Sequence, residues 1–513
     1  MISRIHSAIL QGIDASACEI EADVSKGGVG EIKLVGLADA SVRESTSRIQ
    51  AAMRNSGYRW PGPKVTINLA PADVHKDSAA FDLPIAVACM LAGGIFQSDL
   101  ADEYLVMGEL ALDGRLRAVR GALAVAMLAQ SLGKRGVILP ADNAREAAVV
   151  AGVDVIPVKY LSDAVGFLGG VLPLDAACED IEKIFNVDSA YDMDFADVRG
   201  QESAKRALTV AAAGHHNILL IGPPGSGKTM LAKRIPTILP PLTVEESLET
   251  TRVYSARGLL SAGQSLMTRR PVRTPHHSSS SAALVGGGAI PQPGEVSLAH
   301  HGVLFLDEFP EFARTTLEMI RQPLEDGCVT IPRVHSTIKF PAQIMLVAAM
   351  NPCPCGYYTD PKRPCMCSPS QVERYLSRVS GPLIDRIDIH VEVPPVDWKE
   401  LRASNGGMTS EEMRKAVCEA RQIQRKRFSK AKNAPSTTTN ATMNSKQLRE
   451  YCKLNGECEM LLRQAMTELG LSARAHDKVL RIARTIADIE KSDDIAPHHI
   501  AEAIQYRRLD RKL

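Results

Sequence analysis

Eight residues, Gly222 to Thr229, have the glycine-rich spacing G-x-x-x-x-G-K-[ST] that is typical of phosphate-binding loops. They follow a hydrophobic run, NILLI, and precede a segment with helical spacing, MLAKRI. This order predicts a buried strand, a turn and a helix, in which backbone N–H groups and the helix N-terminus close on phosphates. The candidate nucleotide-binding residues are Gly222, Pro223, Pro224, Gly225, Ser226, Gly227, Lys228 and Thr229.

An acidic pair, Asp307 and Glu308, ends the hydrophobic run GVLFL 78 residues after Thr229. A strand followed by Asp-Glu is common in proteins, but here it comes after a phosphate-binding loop. We expect Thr229 and Asp307 to hold Mg²⁺, Lys228 to reach the β- and γ-phosphates, and Glu308 to activate the attacking water. The sequence therefore predicts an NTP hydrolase that uses ATP and Mg²⁺.

Three further polar residues stand at the ends of predicted elements. Asn351 ends the hydrophobic run AQIMLVAAM, where its side chain could position water near the γ-phosphate or simply form a turn. Arg386 precedes the strand-like run IDIHVEV, and Arg474 lies at the start of the helical run ARAHDKVLRIARTI. Arg386 is either a surface arginine or, in a ring, a finger that enters the neighbour's site. Arg474 could cap the nucleotide from a helical domain.

Four cysteines form the pattern C-x-C-x₉-C-x-C directly after Asn351: Cys353, Cys355, Cys365 and Cys367. Four thiolates are the ligand set of a structural zinc site, with no open position for catalysis. The C-x-C spacing is tighter than that of most zinc sites, and the spacings typical of iron–sulfur clusters differ. Structural zinc is our hypothesis, and four free thiols in a loop are the alternative.

The chain has 513 residues, 45% hydrophobic and 23% charged, and a formal net charge of +1. Two to four domains are expected. The first 22 residues contain no uninterrupted apolar segment, and no run of 18 apolar residues occurs, so we expect a cytoplasmic protein without a membrane partner. Pattern and composition divide the chain into an α/β or α+β domain (1–170), a linker (171–195), a second α/β unit (196–398) and a helical domain (399–513).

Because the net charge is near zero, contact with nucleic acid would depend on local basic groups. One candidate segment supplies Arg269, Arg270, Arg273, His276 and His277 before a Ser/Gly-rich stretch. The arginines there could equally form a solvated surface or contact a neighbouring subunit, and the histidines are interpreted as structural or pore residues. The other candidates are a predicted hairpin with Arg333 and Lys339, and the run RQIQRKRFSKAK, which favours a solvated helix face.

The order of these motifs resembles that of AAA+ ATPases. The segment RRPVRTPHHSSSSAALVGGGAIPQPGEVSLAHHGVLFLDE, together with RQPLEDGCVTIPR and NPCPCG, resembles the Mg-chelatase-like AAA+ proteins and, among them, the competence protein ComM (YifB-type) family. This resemblance implies an AAA+ P-loop ATPase core with a helical lid. It also implies the roles given above for Glu308, Asn351, Arg386 and Arg474.

Residues 1–170 resemble the proteolytic domain of Lon, an α+β domain with the ribosomal S5 domain 2-like fold. The nucleophilic serine of Lon aligns with Ala80 and its lysine with Val125, so the sequence predicts an inactive domain. Ser78 and Lys76 lie nearby and are expected to be surface groups. This domain is interpreted as a binding or assembly module.

The ComM family is understood to form hexameric rings that move on DNA, which implies homo-hexamers and sequence-independent contact with single-stranded or branched DNA. The expected function is branch migration or helicase activity that supports recombination in natural transformation. Two alternatives stay open: a Mg-chelatase-type ATPase subunit that works on a tetrapyrrole, and an AAA+ ATPase that remodels proteins.

Overall fold

The computed structural model describes two compact units, Met1–Asp188 with Thr243–Thr268, and Ser189–Leu242 with Arg269–Leu513. Within these bounds the described residues are 2–25, 31–36, 40–72, 76, 79–187, 191–261, 263–288, 290–332, 337–358, 360, 363–396, 407–429 and 438–507. The division between the units falls inside the segment 171–195 that the sequence analysis interprets as a linker.

The first unit contains a mixed seven-stranded sheet. Its two longest strands form an antiparallel hairpin in which Gln11 pairs with Asp14. Burial alternates along the second of them, so that Cys18, Ile20 and Ala22 face the core while their neighbours are less buried. From edge to edge the strands are Glu31–Val35, Lys64–Ala70, Asp14–Ser25, Ile2–Gln11, Tyr104–Val106, Gly136–Pro140 and Asp154–Val158.

Helices cover this sheet, and Asp82–Ala92 is buried along almost its whole length. Its first residue, Asp82, accepts hydrogen bonds from Arg48 at 2.6 and 3.0 Å, which compensates a buried carboxylate. A small ribbon pairs Glu109–Leu110 with Leu116–Arg117. The remaining helices are Ala40–Asn55, Ala122–Ser131, Ala141–Ala147, Leu161–Leu168, Ile181–Val187 and Val244–Arg257, with a 3₁₀ turn at Ala79–Phe81.

The structure adds two details to the predicted boundaries. The helix Ile181–Val187 occupies part of the segment interpreted as a linker. The helix Val244–Arg257 lies within the predicted second unit, 196–398, but belongs to the first compact unit. Ser255 on this helix hydrogen-bonds to the buried Glu146, and Leu248 packs against the core of the first unit.

The second unit is built on a five-stranded parallel sheet. Its strands are Val272–Arg273, Val303–Leu306, Met345–Met350, Ile218–Ile221 and Ile389–Glu392, in that order. Three of them are buried at every position, as expected for a parallel sheet that is covered on both faces. The carboxyl ends of parallel strands meet at one edge, so residues 222, 307 and 351 begin neighbouring loops.

Helices of the second unit pack with this sheet into one core. The core contains Val417, Leu462 and Ile486 from the C-terminal helices and Leu220 from the sheet. Two helices predicted from periodicity are confirmed, as Ser410–Phe428 and Ala473–Ile489. The others are Glu202–Gly214, Lys228–Ile238, Ser281–Val285, Glu295–Leu298, Arg314–Met319, Arg321–Asp326, Pro369–Leu376, Gly381–Ile384, Ser445–Tyr451, Gly456–Leu469 and Pro497–Gln505. The 3₁₀ turns are Phe195–Asp197, Phe309–Glu311 and Asn440–Thr442.

Two antiparallel hairpins complete the unit. Cys328–Pro332 pairs with Thr337–Pro341, which confirms the predicted hairpin, and Gly286–Gly287 pairs with Gln292–Pro293.

A buried ionic group links the helix Ala473–Ile489 to the amino end of the five-stranded sheet. The Asp388 carboxylate lies 2.8 Å from Lys478 Nζ and accepts a hydrogen bond from the Asn217 backbone at 3.0 Å. His216 Nδ1 is 3.6 Å away. Burial alone would raise the pKa of Asp388, but Lys478 and His216 outweigh it and hold that pKa well below its usual range. Because this carboxylate stays ionised, it balances the charge of a buried lysine.

Asp388→Asn should destabilise the second unit by about 3–5 kcal/mol, since it leaves Lys478 as a buried charge without a partner. The loss is present at pH 7 and shrinks as the pH falls below about 4, where the carboxylate of the unfolded chain is protonated. Urea unfolding of the variant measures it. Asp388→Asn combined with Lys478→Met should recover much of the stability. Asp385→Asn, a partly exposed neighbour, should cost under about 1 kcal/mol, and an equal loss for both single variants would contradict the prediction.

Candidate active site

The glycine turn at the end of the strand Ile218–Ile221 has the backbone shape that phosphate binding requires. Gly225 and Gly227 have φ of +77° and +90°, a region that favours glycine. A Cβ at Gly225 would meet no atom within 4 Å, so the outer face of the turn is open. The helix Lys228–Ile238 begins directly after it, with its first N–H groups at this edge. The turn therefore fits a nucleotide phosphate chain.

Lys228 is folded back onto the turn. Its Nζ donates hydrogen bonds to the carbonyl oxygens of Gly222 and Pro223 at 2.7 and 2.9 Å and to Asn351 Oδ1 at 3.2 Å. Burial lowers the pKa of Lys228 to about 8, although Asp307 opposes the shift. The ammonium is therefore still mainly protonated at pH 7, and a phosphate chain would favour its charged form. The structure brings Lys228 and Asn351 together from positions 123 residues apart.

The two candidate magnesium ligands are in direct contact. Thr229 Oγ1 donates a hydrogen bond to Asp307 Oδ2 at 2.7 Å, and the other oxygen, Oδ1, accepts one from the Glu308 backbone at 2.9 Å. A hydroxyl and a carboxylate oxygen are ligands that Mg²⁺ takes, with water and phosphate oxygens completing its shell. Thr229 and Asp307 therefore fit this ion.

Glu308 has an unusual backbone and an exposed side chain. Its φ is +51°, in the left-handed region that non-glycine residues rarely adopt, and its side chain is 59% exposed. A cavity of about 310 Å³ opens here, lined by Thr229, Asp307, Glu308 and the segment from Thr274 to His277. Such strained residues occur disproportionately at functional sites. The carboxylate is placed to reach a water in this space.

His277 is the residue of this site that sequence reasoning missed. Its Nδ1 lies 3.0 Å from Glu308 Oε2, and its ring is 4.1 Å from that of His276. Both histidines are interpreted above as structural or pore residues. Local sequence carries no signal of their place beside the acidic pair, because it depends on the two-residue strand Val272–Arg273, which pairs in parallel with Val303–Leu304.

Arg386 and Arg474 lie at the other edge of the sheet. Both contact one carboxylate: Arg386 Nη2 pairs with Glu325 Oε1, and Arg474 Nη2 lies 3.6 Å from the same oxygen. The carbonyl oxygen of Arg386 accepts a hydrogen bond from Asn217 Nδ2 at 3.3 Å, and Asn217 stands just before the strand that leads to the glycine turn. That strand separates the two edges by about 13 Å. The fold brings the two arginines together but does not bring them to Lys228.

A second cavity, of about 460 Å³, opens at this amino edge. Arg386, Arg474 and Arg481 line it together with Glu325 and Asp477. The hydrogen bond with Arg386, and to a smaller extent the charge of Arg474, lowers the pKa of Glu325. This edge therefore presents three arginines, two of which contact the single carboxylate of Glu325.

The four cysteines converge on one point. Their Sγ atoms all lie within 4.8 Å of one another, and the separations from Cys353 to Cys355 and to Cys365 are 3.3 and 3.7 Å. Sulfur atoms on a tetrahedral zinc ion, each 2.3 Å from the metal, are about 3.8 Å apart. Tyr357 and Met366 donate backbone hydrogen bonds to Cys355, which lowers the pKa of that thiol to about 6. At Cys365 and Cys367 a backbone hydrogen bond acts in the same direction, but desolvation and the neighbouring thiols outweigh it and raise the pKa. The set fits a metal that binds thiolates, and all four cysteines are free of disulfides.

The cysteine loop packs against the glycine turn. A Cβ at Gly356, whose φ is +86°, would come within 2.5 Å of Pro224 Cδ. The loop and the candidate nucleotide site are therefore in direct contact at the same edge of the sheet.

The candidate DNA-contacting arginines have partners within the unit. Arg273 forms a two-pronged ion pair with Glu295 at 2.6 and 2.8 Å, and Arg270 donates to backbone oxygens of Pro240 and His301 at 2.7 Å each. The Arg269 guanidinium lies 5.5 Å from the centre of the Tyr191 ring. In the hairpin, Lys339 is exposed, while Arg333 lies outside the described residues.

In the first unit, the positions aligned with protease residues are core positions. Ala80 and Val125 are buried among apolar side chains. The expectation that Lys76 is a surface group is wrong: it is fully buried, and its Nζ donates a hydrogen bond to the Pro71 carbonyl oxygen. Burial of the aliphatic stem and this hydrogen bond offset the cost of desolvating the ammonium. Ser78 lies outside the described residues.

Comparison with known proteins places these features in a family. Residues 194–401 match magnesium chelatase, subunit ChlI; residues 20–143 match subunit ChlI of Mg-chelatase; and residues 407–507 match the ChlI C-terminal region. Part of the chain is similar to Lon proteases, at 33% identity over 121 residues for the archaeal Lon protease of Halobacterium salinarum. No helix among the described residues is long and apolar enough to span a bilayer.

Among the relatives that match along almost their whole lengths are YifB and ComM. The chain is 43% identical over 513 residues to the Escherichia coli protein YifB, covering 100% of this chain and 98% of YifB. It is 42% identical over 512 residues to the competence protein ComM of Haemophilus influenzae, covering 99% and 98%. With this extent of identity and the glycine turn, acidic pair and parallel sheet described above, the chain belongs to the Mg-chelatase-like AAA+ ATPase family that includes ComM and YifB.

Proposed function

We propose that the chain hydrolyses ATP with Mg²⁺ and uses the energy to move on DNA as a ring. The observation that carries the first step is the contact network at the carboxyl edge of the sheet. There Lys228 meets Asn351 at 3.2 Å and Thr229 meets Asp307 at 2.7 Å. Four residues from three separate segments thus converge on one open turn, which is the arrangement that phosphoryl transfer needs.

Each residue of this network has a distinct role. Lys228 and the N–H groups of the turn would neutralise the phosphates, and Thr229 and Asp307 would hold Mg²⁺, which would supply positive charge to the phosphate oxygens. Glu308 accepts a proton from the attacking water, and Asn351 orients that water. The exposed carboxylate of Glu308 and the open cavity in front of it support this assignment.

The arginines support assembly into a ring. Arg386 and Arg474 lie together at the amino edge, a full strand length from the glycine turn of the same chain. A head-to-tail ring would place this edge beside a neighbour's nucleotide, where both arginines stabilise the charge that develops during transfer. In this proposal Arg474 acts on the neighbour's nucleotide and not on its own. A homo-hexamer agrees with the resemblance to the ComM family.

DNA is the proposed substrate of the motor, as single strands or branched duplexes without sequence preference. The Haemophilus influenzae relative is named competence protein ComM. We place the activity in the cytoplasm, as branch migration or unwinding that supports recombination in natural transformation. Lys339, exposed on its hairpin, is a candidate for contact with the phosphate backbone. The ion pair of Arg273 with Glu295 favours a structural role for that arginine.

A second candidate function follows from the match of residues 194–401 to a magnesium chelatase subunit. A subunit of that kind would drive metal insertion into a tetrapyrrole and would respond to a partner protein that binds the porphyrin. A protein-remodelling motor would respond to polypeptide. The response of the ATPase to these substrates separates them from a DNA motor.

We also propose that Cys353, Cys355, Cys365 and Cys367 bind one structural zinc ion. The separations of 3.3 to 3.7 Å among the sulfurs of Cys353, Cys355 and Cys365 carry this proposal, and the Cys367 sulfur lies within 4.8 Å of all three. Because the loop packs on Pro224, the ion would keep the glycine turn in shape while the ring changes state.

The ATPase rate should rise severalfold when single-stranded or branched DNA is added to the purified protein with Mg-ATP. Glu308→Gln should lower the rate by about 100-fold or more, because water loses its general base, and it sets the background of the assay. A rate that ignores DNA but rises with a polypeptide or a porphyrin-loaded partner would replace the DNA motor with one of the alternatives.

Mixing two inactive variants should restore ATPase activity. Arg386→Ala removes the finger, Lys228→Ala removes nucleotide binding, and each alone should be about a thousandfold slower than the wild type. In a random one-to-one mixture, about one interface in four combines an intact nucleotide site with an intact finger. Activity near that fraction of the wild-type rate is expected. A mixture as inactive as its components would refute action between subunits, and mixing Lys228→Ala with Glu308→Gln controls for nonspecific recovery, since no interface there is complete.

The purified chain should contain one zinc ion, measured by elemental mass spectrometry. Cys353→Ser and Cys365→Ser should lose the metal and bind ATP more weakly, because the loop against Pro224 is released. Cys418→Ser, on a helix far along the chain, is the matched control and should keep the metal. Zinc-free protein whose four cysteines are alkylated rapidly in the native state would exclude the site.

A further inference from the structure

Asn217 lies at the amino end of the strand Ile218–Ile221 and has no part in the roles assigned above. Its carbonyl oxygen accepts hydrogen bonds from the backbone N–H groups of Asp388 and Ile389, at 3.0 Å each. Its own backbone N–H donates to the Asp388 carboxylate at 3.0 Å. The backbone of Asn217 is therefore fixed against the segment that follows Arg386.

The side-chain amide of Asn217 joins two further parts of this edge. Oδ1 accepts a hydrogen bond from the backbone N–H of Leu346 at 2.8 Å, near the start of the strand Met345–Met350. Nδ2 donates to the carbonyl oxygen of Arg386 at 3.3 Å. A backbone N–H only donates and a carbonyl oxygen only accepts, so these partners fix which end of the amide faces which. The amide thus links the peptide of Arg386 to a strand of the sheet.

This pair of contacts requires an amide. Aspartate offers only acceptors and would repel the carbonyl oxygen of Arg386, whereas leucine offers neither a donor nor an acceptor. Leu346 is fully buried, so its N–H would be left without a partner that water could replace. Position 217 therefore needs an acceptor for the sheet and a donor for Arg386 on one short side chain.

Two other hydrogen bonds of Arg386 are local. Its backbone N–H donates to the Leu383 carbonyl oxygen at 3.0 Å, and its Nη1 donates to the Pro382 carbonyl oxygen at 2.6 Å. Both partners lie on the short helix Gly381–Ile384, directly before Arg386, and would accompany it in any shift of that helix. The bond from Asn217 comes from the sheet. It therefore sets where Arg386 lies relative to the sheet.

We propose that Asn217 is a positioning residue for Arg386, and that its Nδ2 holds the peptide of this arginine where the guanidinium reaches the neighbour's nucleotide. The inference rests on the proposed ring, in which Arg386 acts between subunits. Asn217 leads directly into the strand that ends in the glycine turn. One strand thus fixes the distance between a chain's own nucleotide site and the finger that it offers to its neighbour. Asn217 itself contacts neither nucleotide.

The first test measures ATP hydrolysis and nucleotide binding separately. Asn217→Asp keeps the acceptor for Leu346 but removes the donor to Arg386, so it should lower kcat between about 10- and 100-fold, the cost of a misplaced catalytic group. The affinity for a fluorescent ADP analogue, which reports on the chain's own glycine turn, should stay within twofold of the wild type. Asn217→Ala loses both bonds and should lower kcat at least as far. Asn455→Ala is the matched control, since it removes a 2.9 Å side-chain bond that caps the helix Gly456–Leu469, and it should keep nearly the wild-type kcat.

Mixing with inactive subunits shows which side of the subunit is impaired. Asn217→Asp subunits retain a nucleotide site and Lys228→Ala subunits retain a finger, so about one interface in four of a one-to-one mixture is complete. Activity near that fraction of the wild-type rate is expected. A mixture of Asn217→Asp with Arg386→Ala contains no intact finger, and its rate should not exceed that of Asn217→Asp alone. Recovery with Arg386→Ala, or recovery with neither partner, would overturn the proposal, because the defect would then include the chain's own site.

Two comparisons complete the test. In the Arg386→Ala background, Asn217→Asp should cause almost no further loss of rate, because the amide acts through that arginine, and losses that multiply in full would contradict this. The mixture of Lys228→Ala with Arg386→Ala tests the ring itself. If that mixture stays inactive, the finger between subunits fails, and the role of Asn217 fails with it. If that mixture recovers while Asn217→Asp has the wild-type kcat, only the positioning role fails.

Discussion

In a parallel sheet, the loops after the strands all lie at the carboxyl edge of the sheet. The candidate active site of this chain depends on that constraint. The strands Ile218–Ile221, Val303–Leu306 and Met345–Met350 are neighbours in one parallel sheet. Each ends in residues that would be ordinary alone: a glycine turn, an acidic pair and an asparagine. Adjacent strands lie under 5 Å apart, so Lys228 reaches Asn351 at the end of the next strand. Thr229, on the helix after the turn, reaches Asp307 at the end of the strand beyond that one. The same constraint sends Arg386, which precedes a strand, to the opposite edge.

The cysteine loop and Glu308 lie at the same carboxyl edge of the sheet but are held there in different ways. The loop leaves Asn351, turns against Pro224 and continues into the helix Pro369–Leu376. Burial raises the pKa of Tyr375 on that helix to about 12, while a hydrogen bond from the Asn351 backbone opposes the shift. The start of the loop is thus hydrogen-bonded to the helix that follows it, which suits a short segment that must keep its shape. Glu308, in contrast, is exposed, and its Oε2 lies 3.0 Å from His277 Nδ1.

Local sequence predicted much of this site and little of what surrounds it. The glycine turn, the acidic pair and Asn351 could be predicted because each lies at the end of an apolar run. The helix Ser410–Phe428 could be predicted because its hydrophobic periodicity is continuous. His277 was missed because its strand, Val272–Arg273, has only two residues and cannot be recognised without its partner. The burial of Lys76 depends on a carbonyl oxygen supplied by a turn. The association of Thr243–Thr268 with the first unit likewise depends on contacts with residues more than 90 positions away, such as Ser255 with Glu146.

Glu325 gives the amino edge a property that neither arginine has alone. In the single chain it balances Arg386 and contacts Arg474, so two guanidinium groups share one carboxylate. Phosphate groups carry more negative charge than a carboxylate, and their oxygens also accept hydrogen bonds from guanidinium groups. A neighbour's nucleotide would therefore replace Glu325 as the anionic partner of the arginines, without first leaving a charge unpaired. Arg386, whose side chain is only 10% exposed, is already largely desolvated in the folded chain, whereas Arg474 is 59% exposed. In the proposed ring, Glu325 thus pairs with Arg386 before assembly, and a residue without charge at 325 would leave that guanidinium held by its hydrogen bond to the Pro382 carbonyl oxygen.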